Sequence, residues 1–449
     1  DRDSDNDGLA DAAEDTNCNG ILDPGETSAT SDDTDNDGVS DLVEDVAGTD
    51  PNDPLDNPAS HGDFFFLMPY EAPADPSQDT LEFRTSVQFA DIYFSIDTTG
   101  SMGQEIGALG AASGIPTIIS ELTCNVIGGT CMLDSECATG VCFGGTCIQD
   151  PGVGDGCVPD LYSGVGAFDE LNTFRNLQSL QPDPAVTASR LPSLGGGSRE
   201  APFHSAHCVA DGVACPSPIK NCSALGVGCP GFRSNAVRIL IQVTDADDQC
   251  SGAGCPSVAT AGAAMQAAGI NFIGLYGSGD EGGAGTALSV ARDIGLAAGS
   301  VDAGGNPFIY SANDGAVVAQ TKAAVLDIVQ NLPLNTTITQ SEVDMGDDGD
   351  ALPFIDYVEV NVSGTGNCTA VMDIADTDAD TRPDAFPTLR PGTPVCWDVH
   401  PVASNTTVQA TDSPLVFIAT LTVNGDGSPL DSRRVFFLVP PVLDQIDVD

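Results

Sequence analysis

Ala90-Asp91-Ile92-Tyr93-Phe94-Ser95-Ile96-Asp97-Thr98-Thr99-Gly100-Ser101-Met102 decides how the rest of this 449-residue sequence is read. It opens as an apolar run rich in β-branched and aromatic side chains, the pattern of a strand buried in a parallel sheet, and the run stops at Asp97. A helix-like segment follows. Open α/β sheets bind ligands at the carboxyl ends of their strands, so an Asp with hydroxyls two and four residues on stands where a cation can be held. Asp97, Thr99 and Ser101 offer only hard oxygen, which suits Mg²⁺, Ca²⁺ or Mn²⁺ rather than zinc or copper. The other role open to Asp97 is to cap the following helix.

Working outward, Gly103 to Leu122 reads as one helix, weakened or kinked by its glycines and Pro116. Strands are predicted at Leu161 to Phe168, Val237 to Val243, Asn271 to Tyr276 and Pro307 to Tyr310. Ala-rich helices are predicted at Ser257 to Ala268, Thr286 to Ala298 and Asn313 to Leu332. Such alternation specifies an α/β, doubly wound parallel sheet. From Pro333 the helical pattern is gone, and short runs at Tyr357 to Val362, Thr406 to Ala410, Val416 to Val423 and Arg434 to Val439 predict a β-sandwich. Before the central strand lie two further strand-like runs, Asp63 to Tyr70 and Thr80 to Phe89, and the first is echoed by Arg434 to Pro440. The flanking runs are read either as parts of one sandwich with the α/β region inserted, or as two unrelated edge strands.

Residues 1 to 62 carry 19 Asp and Glu against one Arg, a composition that alone reads as disorder. The spacing says otherwise. Asp3, Asp5, Asp7, Gly8, Asp11 and Glu14 fall at positions 1, 3, 5, 6, 9 and 12 of a calcium loop, with Leu9 at the backbone-carbonyl position. Asp15, Asn17, Asn19, Gly20, Asp23 and Glu26 repeat the frame around Ile21, and Asp33, Asp35, Asp37, Gly38, Asp41 and Glu44 repeat it around Val39. Bound ions would be most of what holds such an array, which has little apolar core. Asp376, Asp378, Asp380 and Asp384 fill positions 1, 3, 5 and 9 of a fourth frame, but Thr381 replaces the turn glycine and Pro387 the final Glu.

The run Asp97 to Met102 resembles the DxSxS metal-ion-dependent adhesion site of von Willebrand factor A domains, with Thr99 for the middle Ser. Gly197-Ser198-Arg199-Glu200-Ala201-Pro202 resembles the loop that supplies a glutamate in integrin β subunits, and Val243-Thr244-Asp245-Ala246 follows another strand. The resemblance implies Glu200 and Asp245 as further ligands, a Mg²⁺ or Ca²⁺ with an open position for an external carboxylate, and nesting of the A domain in a hybrid-like sandwich. Gly103, Gln104 and Glu105 depart from the acidic pair that holds an adjacent regulatory ion in that family. The acidic array, closing on Gly48-Thr49-Asp50-Pro51-Asn52-Asp53-Pro54, resembles thrombospondin type 3 repeats. The implied organisation is calcium repeats at 1–56, a linker at 57–62, sandwich strands at 63–89, an A-like domain at 90–332 and a sandwich at 333–449.

Fifteen cysteines at short spacings make sense as disulfides outside the cell. Cys124, Cys131, Cys137, Cys142, Cys147 and Cys157 read as a stapled insert at 124–157, with zinc as the competing use. Cys208 is expected to pair within the loop 208–229 with Cys215, Cys222 or Cys229, leaving His204 and His207 as surface groups; a His204, His207, Cys208 metal cluster is the alternative. Cys250 with Cys255 and Cys368 with Cys396 are expected bridges, and Cys18 is left as a free thiol or an intermolecular link. Asn221, Asn335, Asn361, Asn367 and Asn405 stand in Asn-x-Ser/Thr sequons.

A formal charge of −52 repels nucleic acid and anionic membranes, and no apolar run approaches the length needed to span a bilayer. Without a signal-peptide pattern at Asp1, the chain reads as processed or cropped. There is no GxSxG elbow, HExxH or phosphate loop, so no enzyme is expected. The expected function is an extracellular, calcium-dependent adhesion or binding protein engaging a protein or surface ligand through an exposed carboxylate. The alternative is a self-assembling subunit of an extracellular filament or surface layer. The array and insert together resemble exported proteins of Gram-negative bacteria; an intracellular metal-chelatase-type role is opposed by the cysteine load and the calcium frames.

Overall fold

The strand Phe89–Asp97 lies inside a six-stranded sheet whose order is Ile309–Ser311, Ile270–Tyr276, Val237–Thr244, Phe89–Asp97, Asp160–Phe168, Arg175–Gln181. The first five run parallel and Arg175–Gln181 pairs antiparallel at the edge. The computed structural model describes residues 2–131, 136–153, 156–169, 173–195, 199–213, 215, 221–250, 254–277, 286–313, 316–342 and 347–441. Strand alternation sets which side chains face which layer. Ile92, Phe94 and Ile96 pack with Leu109, Ile118, Ile119 and Leu122 on one face, joined by Val325 and Ile328. Tyr93 and Leu240 turn the other way, against Ala206, Val209, Met265, Val290 and Ile294. Helices therefore cover both faces, which is why this strand is buried along nearly its whole length.

The predicted helix 103–122 is two helices, Gly103–Gly110 and Ile115–Leu122. The break has a steric cause. A Cβ on Gly114 would lie 2.1 Å from the Leu109 carbonyl oxygen, so only glycine allows this return of the chain, and Pro116 then begins the second helix. The later helices run Val258–Ala267, Ala287–Ala298 and Val317–Asn331; Ser257 caps the first and a Thr286–Ser289 capping box starts the second.

Besides a small sheet in the insert, of order Val126–Thr130, Thr146–Ile148, Val141–Phe143, two further sheets are formed among the described residues. One has the order Phe64–Leu67, Ser428–Val439, Leu415–Gly425, Leu334–Glu342, Ala385–Leu389; the other has Ile355–Asn361, Val395–Pro401, Asp79–Phe83. Early strands thus pair with late ones: Phe64–Leu67 lies parallel to Val435–Leu438, and Asp79–Phe83 antiparallel to Val395–Val399. Trp397 bridges the sheets by edge contacts with Phe83 and Phe386. The strands Leu334–Glu342, Ala385–Leu389 and Val395–Pro401 were outside the predicted set, whereas Thr406 to Ala410 is not a strand. There the Asn405 side chain accepts the amides of Thr407 and Val408 and curls the chain into a turn.

Seven disulfides are formed: Cys124–Cys157, Cys131–Cys142 and Cys137–Cys147 in the insert, then Cys208–Cys215, Cys222–Cys229, Cys250–Cys255 and Cys368–Cys396. Cys18 is free and exposed. The pairing of the six insert cysteines with one another corrects the zinc alternative, because bridged sulfurs offer no thiolate. The acidic arm contributes two short helices, Asp11–Glu14 and Asp41–Ala47. Leu42 and Val43 of the second pack with Leu438, beside Leu9, Val39, Phe65, Leu67 and Val416, so the arm is docked on the five-stranded sheet.

Candidate metal centres

The first centre grows from the end of the central strand. Asp97 is wholly buried, and its Oδ1 accepts the Thr99 amide and the Thr99 hydroxyl, each at 2.9 Å. Its Oδ2 accepts the Thr244 hydroxyl at 2.7 Å. Ser101, exposed, lies 3.4 Å from Thr99 Oγ1 and donates to Asp245 Oδ1 at 3.1 Å. Asp97, Thr99, Ser101 and Asp245 thus form one hydrogen-bonded chain across the carboxyl ends of two adjacent parallel strands. Glu200 is buried and near enough for its charge to act on Asp97, and its carbonyl accepts the Gln249 amide at 2.8 Å, which ties its loop to the loop after Asp245. Gly197 and Ser198 lie outside the described residues.

Burial pushes the Asp97 carboxyl up to about 6 against its three hydrogen-bond donors, and Glu200 adds like charge. All three donors are neutral, so a buried carboxylate here is balanced by no cationic side chain among its hydrogen-bond partners. A hard divalent ion fits such a group, and exposed Ser101 leaves the outer side open. Two contributors escaped the sequence reading. Thr244 braces the far oxygen of Asp97, and Arg175 donates to Asp169 at 2.8 Å and to Thr98 Oγ1 at 3.5 Å behind the site. Thr244 had a legible signal, a hydroxyl beside Asp245 at a strand end; the Asp169–Arg175 pair had none.

The second centre is the arm. In the first and third frames, Asp3 and Asp33 accept the amides three and five residues on. Asp11 takes the amide and hydroxyl of Ser4, as Asp41 takes those of Thr34. Asn6 and Gly8, like Asn36 and Gly38, adopt positive φ, and a Cβ on Gly8 would lie 2.7 Å from Leu42. Within this frame Glu14 and Glu44 are buried, and Asp5 Oδ2, Asp7 Oδ2, Glu14 Oε2, Asp35 Oδ2 and both Glu44 oxygens have no hydrogen-bond partner among the described residues. Burial, then the Asp5 and Asp7 charges, pushes Glu14 up to about 8; burial, then Asp37 and Asp35, does the same to Glu44. Orphaned buried carboxylates of this kind cost several kcal/mol unless a cation joins them.

The other two frames differ. Asp23 is held by the side-chain amides of Asn17 and Asn19, and Glu26 accepts from the Thr16 hydroxyl, the Asn17 side-chain amide and the Asp23 backbone amide, so among the described residues the second frame leaves no orphaned buried oxygen. The fourth repeats the pattern of the first and third around Asp376, Asp378 and Asp384, with Thr381 forced to a φ of 80°, but the Arg382 guanidinium occupies Asp380 Oδ2. His204 corrects an expectation: it is fully buried rather than a surface group, with Nε2 3.4 Å from the bridged Cys208. The Cys208–Cys215 bond also removes the thiolate that a His204, His207, Cys208 cluster would need.

Residues 3–17 and 33–54 match the bacterial TSP3 repeat. The match takes in the first and third frames, where the orphaned carboxylates lie, and leaves out most of the second. TSP3 repeats are calcium-binding, and the acidic clusters of the arm are of a kind that can hold a metal ion. With seven disulfides, which persist in oxidising compartments, the repeats place the chain in an extracellular setting. Among the described residues no helix is long and apolar enough to cross a membrane. No curated protein matches the chain. Among solved structures it is similar to proximal thread matrix protein 1 of the mussel byssus, at 11% identity and a TM-score of 0.31 over 56% of this chain and 48% of that one. It is also similar to the open form of the pilus adhesin SpaC from Lactobacillus rhamnosus GG, at 12% identity and 0.31 over 80% and 46%. The chain spans about half the length of these structures.

Proposed function

We propose that this is an extracellular adhesion or binding protein in which a von Willebrand factor A-like region, nested in a β-sandwich, grips an acidic group of a partner through a divalent ion. The observation that carries the reading is the hydrogen-bonded chain Asp97, Thr99, Ser101, Asp245, with Glu200 beside it, at the carboxyl edge of parallel strands. Asp97 and Asp245 supply charge, Thr99 and Ser101 neutral oxygen. An ion held by this set, Mg²⁺ or Ca²⁺, stays electron-poor and accepts an external carboxylate. No catalytic role is assigned to these hydroxyls, and the protein is read as a binder rather than an enzyme. The test is calorimetric titration of Mg²⁺ and Ca²⁺ into the full chain and its Asp97→Ala variant. The expected outcome is loss of one ion and of EDTA-sensitive binding to an acidic surface; unchanged ion uptake and adhesion in the variant would end the reading.

A second role, as a self-associating subunit of a filament or surface layer, is favoured by one observation: Cys18 is an exposed free thiol on the acidic arm of a chain with charge −52. Calcium would screen that charge before copies pack. Light scattering at high protein concentration is expected to report assembly in calcium and monomers in EDTA; monomers in both would remove this role.

A further inference from the structure

We propose that the first and third frames of the arm form a single binding unit, joined by one cation that Asp7 and Glu14 of the first hold together with Asp41 of the third. The proposal rests on the reading of the arm as calcium-binding and goes beyond it, since the spacing of each frame supplies ligands from its own loop alone.

Asp7, Glu14 and Asp41 each bring a carboxylate oxygen to one place, and the three oxygens lie within 4.8 Å of one another. Ligands on opposite sides of a Ca²⁺ at about 2.4 Å stand about 4.8 Å apart, so this spacing suits one ion. The cluster is not a surface patch. Asp7 is 7% exposed, Glu14 1% and Asp41 0%. Asp7 Oδ2 and Glu14 Oε2 have no hydrogen-bond partner among the described residues, which leaves both oxygens able to take a cation.

The placement of Asp41 is fixed from two sides. Thr34 donates its amide and hydroxyl to the carboxylate at 2.9 and 2.6 Å, leaving further lone pairs for the first frame. Leu42 then wedges against Gly8 of the first frame, where even a Cβ would come within 2.7 Å, so the frames are packed hard together at this point. The counterpart of Asp41 in the first frame has a different setting: Asp11 is held by Ser4 in the same way but is partly exposed and faces Arg2 at 3.7 Å. The bridge therefore runs one way, from the third frame into the first. Its consequence is positive cooperativity, because occupancy of either frame orders a ligand for the other.

The test uses Ca²⁺ titration of the full chain by calorimetry, in a background where Asp15→Asn, Asp33→Asn and Asp35→Asn silence the other two frames of the arm and Asp376→Asn the fourth frame. A Glu14→Gln chain in that background identifies the signal of the first frame by its loss. Adding Asp41→Asn, at a position outside the first frame, is expected to weaken that frame's affinity at least tenfold. Thr34→Val, which loosens Asp41 but keeps its charge, is expected to weaken it less than threefold. An Asp41→Asn affinity within twofold of the background, or a Thr34→Val loss equal to that of Asp41→Asn, would overturn the shared ion. A wild-type arm that takes up no Ca²⁺ would overturn the calcium reading itself, a result distinct from either.

Discussion

His204 shows what burial does to one titratable group. Burial, with like charge from His207, holds its imidazole down to about 4, against about 6.5 in an unfolded chain. Between those values the unfolded chain binds a proton that the native one refuses, so stability present above pH 6.5 is lost as pH falls toward 4. The gap sets a ceiling of about 3 kcal/mol. His204→Asn is expected to lose less stability than the wild type between pH 7 and 4.5, read as the shift in urea midpoint; equal losses would take His204 out of the acid response. The buried setting was not legible beforehand, because two histidines three apart on a short helix do not say which face turns inward. Asp97, Thr99 and Ser101 were legible, since spacing along one strand end carries the arrangement. Asp169 and Arg175 were not, since their role depends on what the fold brings behind Thr98.

At the scale of elements, the helix Asp41–Ala47 has two jobs on two faces: Asp41 and Glu44 turn to the acidic frames, Leu42 and Val43 to the sheet. Leu42→Ala removes a fully buried side chain, and such truncations cost about 2–5 kcal/mol. The loss is expected to be local, as faster amide exchange over 33–47 with the parallel sheet unchanged, and uniform protection across the chain would refute it. The periodic helices and the apolar parallel strands were readable because burial on both faces leaves a plain signature. Leu334–Glu342 was not, since its Thr, Gln and Ser residues alternate without a marked apolar face and only Leu334 and Thr336 are deeply buried. Thr406 to Ala410 had strand-like composition, yet a single Asn side chain outweighed it.

For the whole molecule, one apolar cluster runs from Phe66 and Phe437 through Trp397 and Val358 to Ile92 and Ile241. Phe437 stacks on Phe66, from near the beginning of the chain, and on Phe354 from its last third. Phe437→Ala is expected to cost about 3–5 kcal/mol and to lower the urea midpoint of the six-stranded sheet along with the outer ones. Two separate transitions, only one of them shifted, would show that the cluster does not couple them. The meeting of distant strands was foreshadowed by the echo between Asp63 to Tyr70 and Arg434 to Pro440, but pairing partners and register could not be read, because they depend on which surfaces the intervening residues 71–433 leave uncovered.

Phe64–Leu67 lies parallel, not antiparallel, to Ser428–Val439. When the chain is tugged from a point before residue 64 and another after residue 439, the two strands are dragged past each other along their length. The rungs between them must then rupture together rather than one at a time, as the teeth of a zip would. A pull applied at those two points therefore meets this parallel pair in shear before it reaches the six-stranded sheet, whose strands all lie between them in the chain.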